Sequence, residues 1–136
     1  MAAIFYQTSN VGVVQILPAD TTSYKTLLTA GASGSVVTNI SVHSTDTSAK
    51  DVTLTVTVSG TDYPIGIVSI PANTGNANNI ASLNFLEQTN ITSAFNRDVN
   101  GNKYLELPSN ATLRVKVGTT VTTAKAISFR AEGKNL

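Results

Sequence analysis

Asp51-Val52-Thr53-Leu54-Thr55-Val56-Thr57-Val58-Ser59 is the stretch that decides the fold class. Val52, Leu54, Val56 and Val58 fall on one side, and Thr53, Thr55 and Thr57 on the other. A period of two sustained over this length predicts a β-strand with one dry face and one wet face. Threonine on the wet side keeps the preference for extended backbone high without adding charge. Upstream, Val36 to Ser44 alternates in the same way, with Val36, Thr38, Ile40 and Val42 set against Val37, Asn39, Ser41 and His43. The linker 44–50 is short and polar, so the two segments are expected to form an antiparallel hairpin. Downstream, Tyr63 to Ile70 is interrupted by Pro64 and Gly66. Those two residues point to an edge strand or a bulge, because proline has no N–H to donate to a ladder and glycine inside a strand often marks a bulge.

The rest of the chain repeats the theme. Ala111 to Val117 directs Leu113, Val115 and Val117 inward and Thr112, Arg114 and Lys116 outward, and Val121 to Ala131 carries Ile127, Phe129 and Ala131 on one face. Lys103 to Leu107 follows Asp98-Val99-Asn100-Gly101-Asn102, whose Asn-Gly pair is a strong tight-turn signal. Val11 to Leu17 and Tyr24 to Leu28 are further strand candidates, separated by a polar turn. Residues 80–96 fit neither period, and both a short strand and one or two helical turns stay open there. Seven to nine short strands with polar turns predict an all-β, single-domain antiparallel β-sandwich, jelly-roll or Ig-like, in preference to a small barrel.

Composition narrows the chemistry. Of 136 residues, 46 are Thr, Ser or Asn, which suits half-wet strands joined by locally bonded turns. Nine Lys and Arg against eight Asp and Glu give a net charge of +1. A general nucleic-acid binder needs clustered cations, so that class is not expected. The absence of cysteine removes disulfides, thiolate nucleophiles and thiolate metal sites. No apolar run approaches the ~18 residues of a membrane span. The first residues lack the basic and apolar blocks of a signal peptide, and synthesis in the cytoplasm is the simplest expectation.

Candidate catalytic residues are few. His43 is the single histidine and lies on a wet strand face, so the bland reading is a surface residue. Gly31-Ala32-Ser33-Gly34-Ser35 departs from the nucleophile-elbow pattern where Ser35 replaces glycine, and reads as a turn. Asp98-Val99-Asn100-Gly101-Asn102 starts like a calcium loop, but Lys103 and Ser109 stand where that loop needs glycine and glutamate. Glu87, Glu106 and Glu132 are the carboxylates that could converge, and no spacing says that they do. Three Asn-x-Ser/Thr matches equal the number that chance gives in so polar a chain. No enzyme activity, metal or cofactor is therefore expected.

Surface features point to docking instead. Residues 1–10, with Ile4, Phe5 and Tyr6, precede the first clear strand and form an N-terminal arm to the 11–136 domain. Such an arm could lie across a neighbouring subunit or pack as a first strand on its own domain. Arg114 and Lys116 share one outer face and could complement an acidic protein rim as readily as phosphate. Arg130 and Lys125 lie in the next strand, on opposite faces of it. Tyr63 is a further interface candidate, and the Asn-rich loop 71–79 is a natural docking element. A carbohydrate-binding face is an alternative for an Asn- and Thr-rich sheet that also carries tyrosine.

Thr26-Leu27-Leu28-Thr29-Ala30-Gly31-Ala32-Ser33-Gly34-Ser35, Gly60-Thr61-Asp62-Tyr63-Pro64-Ile65, Asn100-Gly101-Asn102-Lys103-Tyr104-Leu105-Glu106-Leu107-Pro108 and Ile127-Ser128-Phe129-Arg130-Ala131-Glu132-Gly133 carry one more signal. Across residues 24–133 the chain resembles the small all-β virion structural proteins of tailed bacteriophages, most of all capsid decoration (cement) proteins. The resemblance implies a homo-oligomer, dimer or trimer, bound in many copies to the major capsid protein on the exterior of the assembled head. From composition, no membrane and no specific nucleic acid is expected as a partner. A neck or tail component has the same texture.

Overall fold

The structure is a computed structural model that describes residues 8–136. Among the described residues there are ten strands: β1 (Ser9–Ile16), β2 (Lys25–Thr29), β3 (Ser35–Ser44), β4 (Lys50–Val58), β5 (Thr61–Ile70), β6 (Leu83–Asn84), β7 (Asn96–Arg97), β8 (Lys103–Leu107), β9 (Thr112–Val117) and β10 (Ile127–Asn135). Two of them, β6 and β7, are only two residues long, which accounts for the difference from the expected seven to nine. All pairings are antiparallel. One sheet runs β1-β10-β3-β8-β7 with β6 added alongside β3, and the other runs β2-β9-β4-β5.

The pairing order identifies the sandwich. β4 pairs with β5, β3 with β8, β2 with β9 and β1 with β10, like the rungs of one long hairpin. That hairpin is rolled so that β10 also pairs with β3, and β9 with β4. This nested order is a jelly roll rather than an Ig-like arrangement. It also overturns the expected hairpin between 36–44 and 52–58. β3 and β4 lie in different sheets, and residues 45–49 carry the chain across the sandwich.

Asp46 holds that crossing. Its carboxylate is fully buried. It accepts hydrogen bonds from Ser48 N (2.9 Å), Ser48 Oγ (3.0 Å), Thr122 Oγ1 (2.8 Å) and Thr122 N (2.9 Å). Burial by itself would raise its pKa, but these donors outweigh it and lower the pKa to about 2. A buried anion satisfied by four donors ties the β3–β4 crossing to the loop before β10. The Asn-rich loop 71–79 is drawn into the same corner, where Asn73 N donates to Asp46 O and Ser44 N to Thr74 O. That loop is therefore anchored, and Thr74 within it is buried.

The core fills the space between the sheets with the inward residues of the alternating strands. Val52 and Leu54, Leu113, Val115 and Val117, and Ile127, Phe129 and Ala131 are all buried, as their periodicity predicts. β3 departs from simple alternation. Thr38 has no partner on β10, and the register shifts there. That bulge turns Val37 inward ahead of it and Ile40 and Val42 inward after it, leaving Val36 on the outer side. β5 shows the expected edge position, with a register shift around Pro64 and Gly66. The hairpin joining it to β4 turns at Ser59 and Gly60, both with positive φ.

Residues 80–96 form neither a full strand nor an α-helix. After β6 come two 3-10 turns, Phe85–Glu87 and Thr92–Ala94. Their apolar residues lack a period because the segment is a plug, with Phe85, Leu86, Ile91 and Phe95 all buried. Phe85 meets Phe129 edge to face, ring centroids 5.9 Å apart. Gly66 leaves the space that Ile91 occupies, since a Cβ there would lie 2.5 Å from Ile91 Cγ2. Among the described residues, no helix is long and apolar enough to cross a membrane.

Candidate functional site

The four-stranded sheet brings together residues far apart in sequence on its outer face. Arg114 and Lys116 sit two apart on β9, so both side chains point outward. Tyr24, just before β2, folds back between them. The Arg114 guanidinium and the Lys116 ammonium each lie 4.7 Å from the centre of its ring. Thr55 Oγ1 donates to the Tyr24 hydroxyl at 3.3 Å, and Thr55, expected on the wet face, is fully buried beneath this cluster. Arg114 also pairs with Asp62 at 3.3 Å, and Asp62 accepts from Thr57 Oγ1 at 2.6 Å. Lys116 takes part in no ion pair among the described residues.

Tyr63 lies elsewhere. It pairs with Val56, whose side chain packs against the core, and so belongs to the opposite side of the sheet. It is 56% exposed because it stands beside the β4–β5 turn, where the sandwich is open. Arg130 is on β10 in the other sheet, and Lys125 precedes that strand, so neither extends the Arg114–Lys116 face. Ile4, Phe5 and Tyr6 fall outside the described residues. Of the segment 1–10, Ser9 and Asn10 are the first residues of β1, paired with Lys134 and Gly133.

The outer face of the six-stranded sheet is polar, with an apolar margin. Val11, Val13 and Gln15 of β1 stand in register with Glu132, Arg130 and Ser128 of β10, which face Asn39, Ser41 and His43 of β3. Arg130 and Glu132 form an ion pair at 2.7 Å. A hydrogen bond from Asn39 and the charge of Arg130 together lower the Glu132 pKa. His43 lies among serines in this grid, beside Ser41, Ser82 and Ser128. The structure gives Ser35 a structural part: its buried hydroxyl accepts from Gly31 N and donates to Asn135 Oδ1.

A groove of about 750 Å³ opens on this sheet beside the β7–β8 hairpin. Tyr104, Glu106, Glu87, Lys103 and Arg97 line it, with Val36 and Thr38 on its floor. Glu87 and Glu106 thus share one groove, whereas Glu132 does not line it. Lys103 binds Glu87 at 3.3 Å. Asp98 is spent on the turn, where its Oδ1 accepts from Asn100 N and Asn102 N. Among the described residues, no cluster of three or more histidine and carboxylate side chains is placed to hold a metal ion.

The Tyr24 cluster is what sequence reading missed. Its signal was the tyrosine directly ahead of β2, whose neighbours depend on the β2–β9 pairing. No family model and no curated protein matches the sequence. Among solved structures, the chain is similar over 93% of its length to 86% of a chain in the acidic stable capsid structure of Helicobacter pylori bacteriophage KHP30, with 13% identity and a TM-score of 0.47. It is similar over its full length to 93% of a chain in the capsid asymmetric unit of cyanophage Pam1, with 16% identity and a TM-score of 0.45.

Proposed function

We propose that the chain is a non-enzymatic structural protein of a tailed-phage virion. In this reading it is a decoration protein that binds the outside of the assembled head and bridges copies of the major capsid protein. The observation that carries the proposal is that the two outer faces of one jelly roll bear different adhesive sets. One face presents Tyr24 flanked by Arg114 and Lys116, and the other presents Val11 and Val13 beside the Arg130–Glu132 pair. A protein that bridges must hold two neighbours at once. The jelly roll is an architecture that viral capsids use, and the sequence resemblance points the same way. The near-neutral charge lets copies crowd at little electrostatic cost.

The mechanism is additive. Each copy contributes a modest interface that exists only while adjacent shell subunits keep their spacing, and many such interfaces together oppose the pressure of packed DNA. The cationic face suits an acidic rim on the shell, and the N-terminal arm read from residues 1–10 adds a further contact. Co-sedimentation with heads assembled without the chain, and with the dissociated shell subunits, tests the reading. Binding to intact heads alone is expected. Equal binding to free subunits, or none to either, would overturn it. Density confined to the neck or tail would reassign the site.

A second reading rests on the groove beside Tyr104. An aromatic ring next to free carboxylate oxygens is a setting in which a sugar ring can stack and hydrogen-bond. A glycan array distinguishes the two, since the decoration reading expects no selective signal.

A further inference from the structure

We infer that β1 is a self-pairing edge, at which a second copy of this chain adds its own β1 in antiparallel register around a dyad at Gly12. A sheet edge is a row of unpaired backbone groups, and proteins blunt such edges with proline, charge, bulges or short length. Three of the four edges here are blunted in this way. β5 carries Pro64 and a register shift, β7 is two residues long, and β2 is five residues long with its own register shift and the Lys25–Asp20 ion pair at its start. Among the described residues, β1 has none of these devices. It runs eight residues without proline or charge, and all eight pair with β10 in unbroken register.

The side chains fit the same reading. Val11 and Val13 are 51% and 70% exposed, although both lie within a strand. A dyad at Gly12 sets Val11 opposite Val13 of the second copy, twice, and Ser9 opposite Gln15. Apolar pairs directly across an antiparallel ladder are stabilising, and a neutral strand brings no like charges together. The next strand is also self-complementary. Glu132 stands in the row of Val11 and Arg130 in the row of Val13, so the dyad aligns each carboxylate with the opposite sign across the join. Such an interface is isologous and closes at two copies.

Sedimentation velocity of the full chain tests the inference, with Val13→Lys as the variant. The wild type is expected to be a dimer at micromolar concentration. The variant should fold with an unchanged circular dichroism spectrum and raise the dissociation constant at least about tenfold. The chain beginning at residue 8 should dimerise as the full chain does. The lack of native cysteine allows a check of register: mixing Val11→Cys with Val13→Cys chains should give a disulfide heterodimer in excess of either homodimer. A wild-type monomer, a trimer, a dimer indifferent to Val13→Lys, one lost with residues 1–7, or crosslinking of Val13→Cys to itself instead would overturn the inference.

Discussion

Replacing Asp46 with asparagine removes one charge and leaves every apolar contact of the core in place. At neutral pH the folded protein holds this carboxylate at a pKa of about 2, against an ordinary value of 3.8. The difference corresponds to roughly 2 kcal/mol of stability. The amide also sets an N–H where Oδ2 now accepts from Thr122 N at 2.9 Å, or turns it toward the three donors on Oδ1. Leaving one of these buried donors unmatched costs a further ~1 kcal/mol. The total of about 3 kcal/mol should lower the melting temperature by roughly 10 °C in a domain of this size. Because the folded pKa lies below the unfolded one, the charge contribution is complete above about pH 4 and fades as pH falls toward 2. Calorimetry of both proteins from pH 7 down to pH 2 should therefore show the gap at neutral pH and its narrowing in acid. A variant as stable as the wild type at pH 7, or a gap that widens on acidification, would refute the account of the β3–β4 crossing.

Other perturbations separate the parts of the fold. Gly12→Ala should cost about 3 kcal/mol in denaturant unfolding, because a Cβ there would sit 1.8 Å from the Leu27 carbonyl oxygen and push β1 off β2. Gly60→Ala, with nothing within 4 Å but a φ of +80°, should cost only about 1 kcal/mol of backbone strain. Tyr24→Ala should lose roughly 2 kcal/mol by uncovering Thr55 and freeing two cations, and should weaken head binding in co-sedimentation. Deleting residues 1–7 should lower occupancy on heads in co-sedimentation; unchanged occupancy would remove the arm from the interface.

The parts of the fold that depend on one strand's own residues were legible in the sequence. Alternation at 52–54, 113–117 and 127–131 reported burial directly, because each of these strands faces a single core. Pro64 and Gly66 reported an edge, and Asp98 to Asn102 reported a turn. The parts that depend on which strands meet were not legible. Among the described strands only β4 with β5 and the short β7 with β8 are both adjacent in sequence and paired, so neighbourhood along the chain misdirected β3 toward β4. Thr38 changed the inward set of β3 through a bulge that no residue type announces. Thr55 looks like any wet-face threonine until β2 and β9 bring Tyr24, Arg114 and Lys116 over it. Asp46 lay in a linker whose composition suggested solvent, and its burial follows from the crossing between sheets.

Cryo-electron microscopy of heads made without the chain, imaged before and after adding the purified protein, tests the shell-binding role most directly. The account predicts new density on the head exterior at symmetry-related positions, into which the two-sheet jelly roll fits while touching at least two shell subunits. Heads that gain no ordered density, or gain it against a single subunit each, would contradict the account.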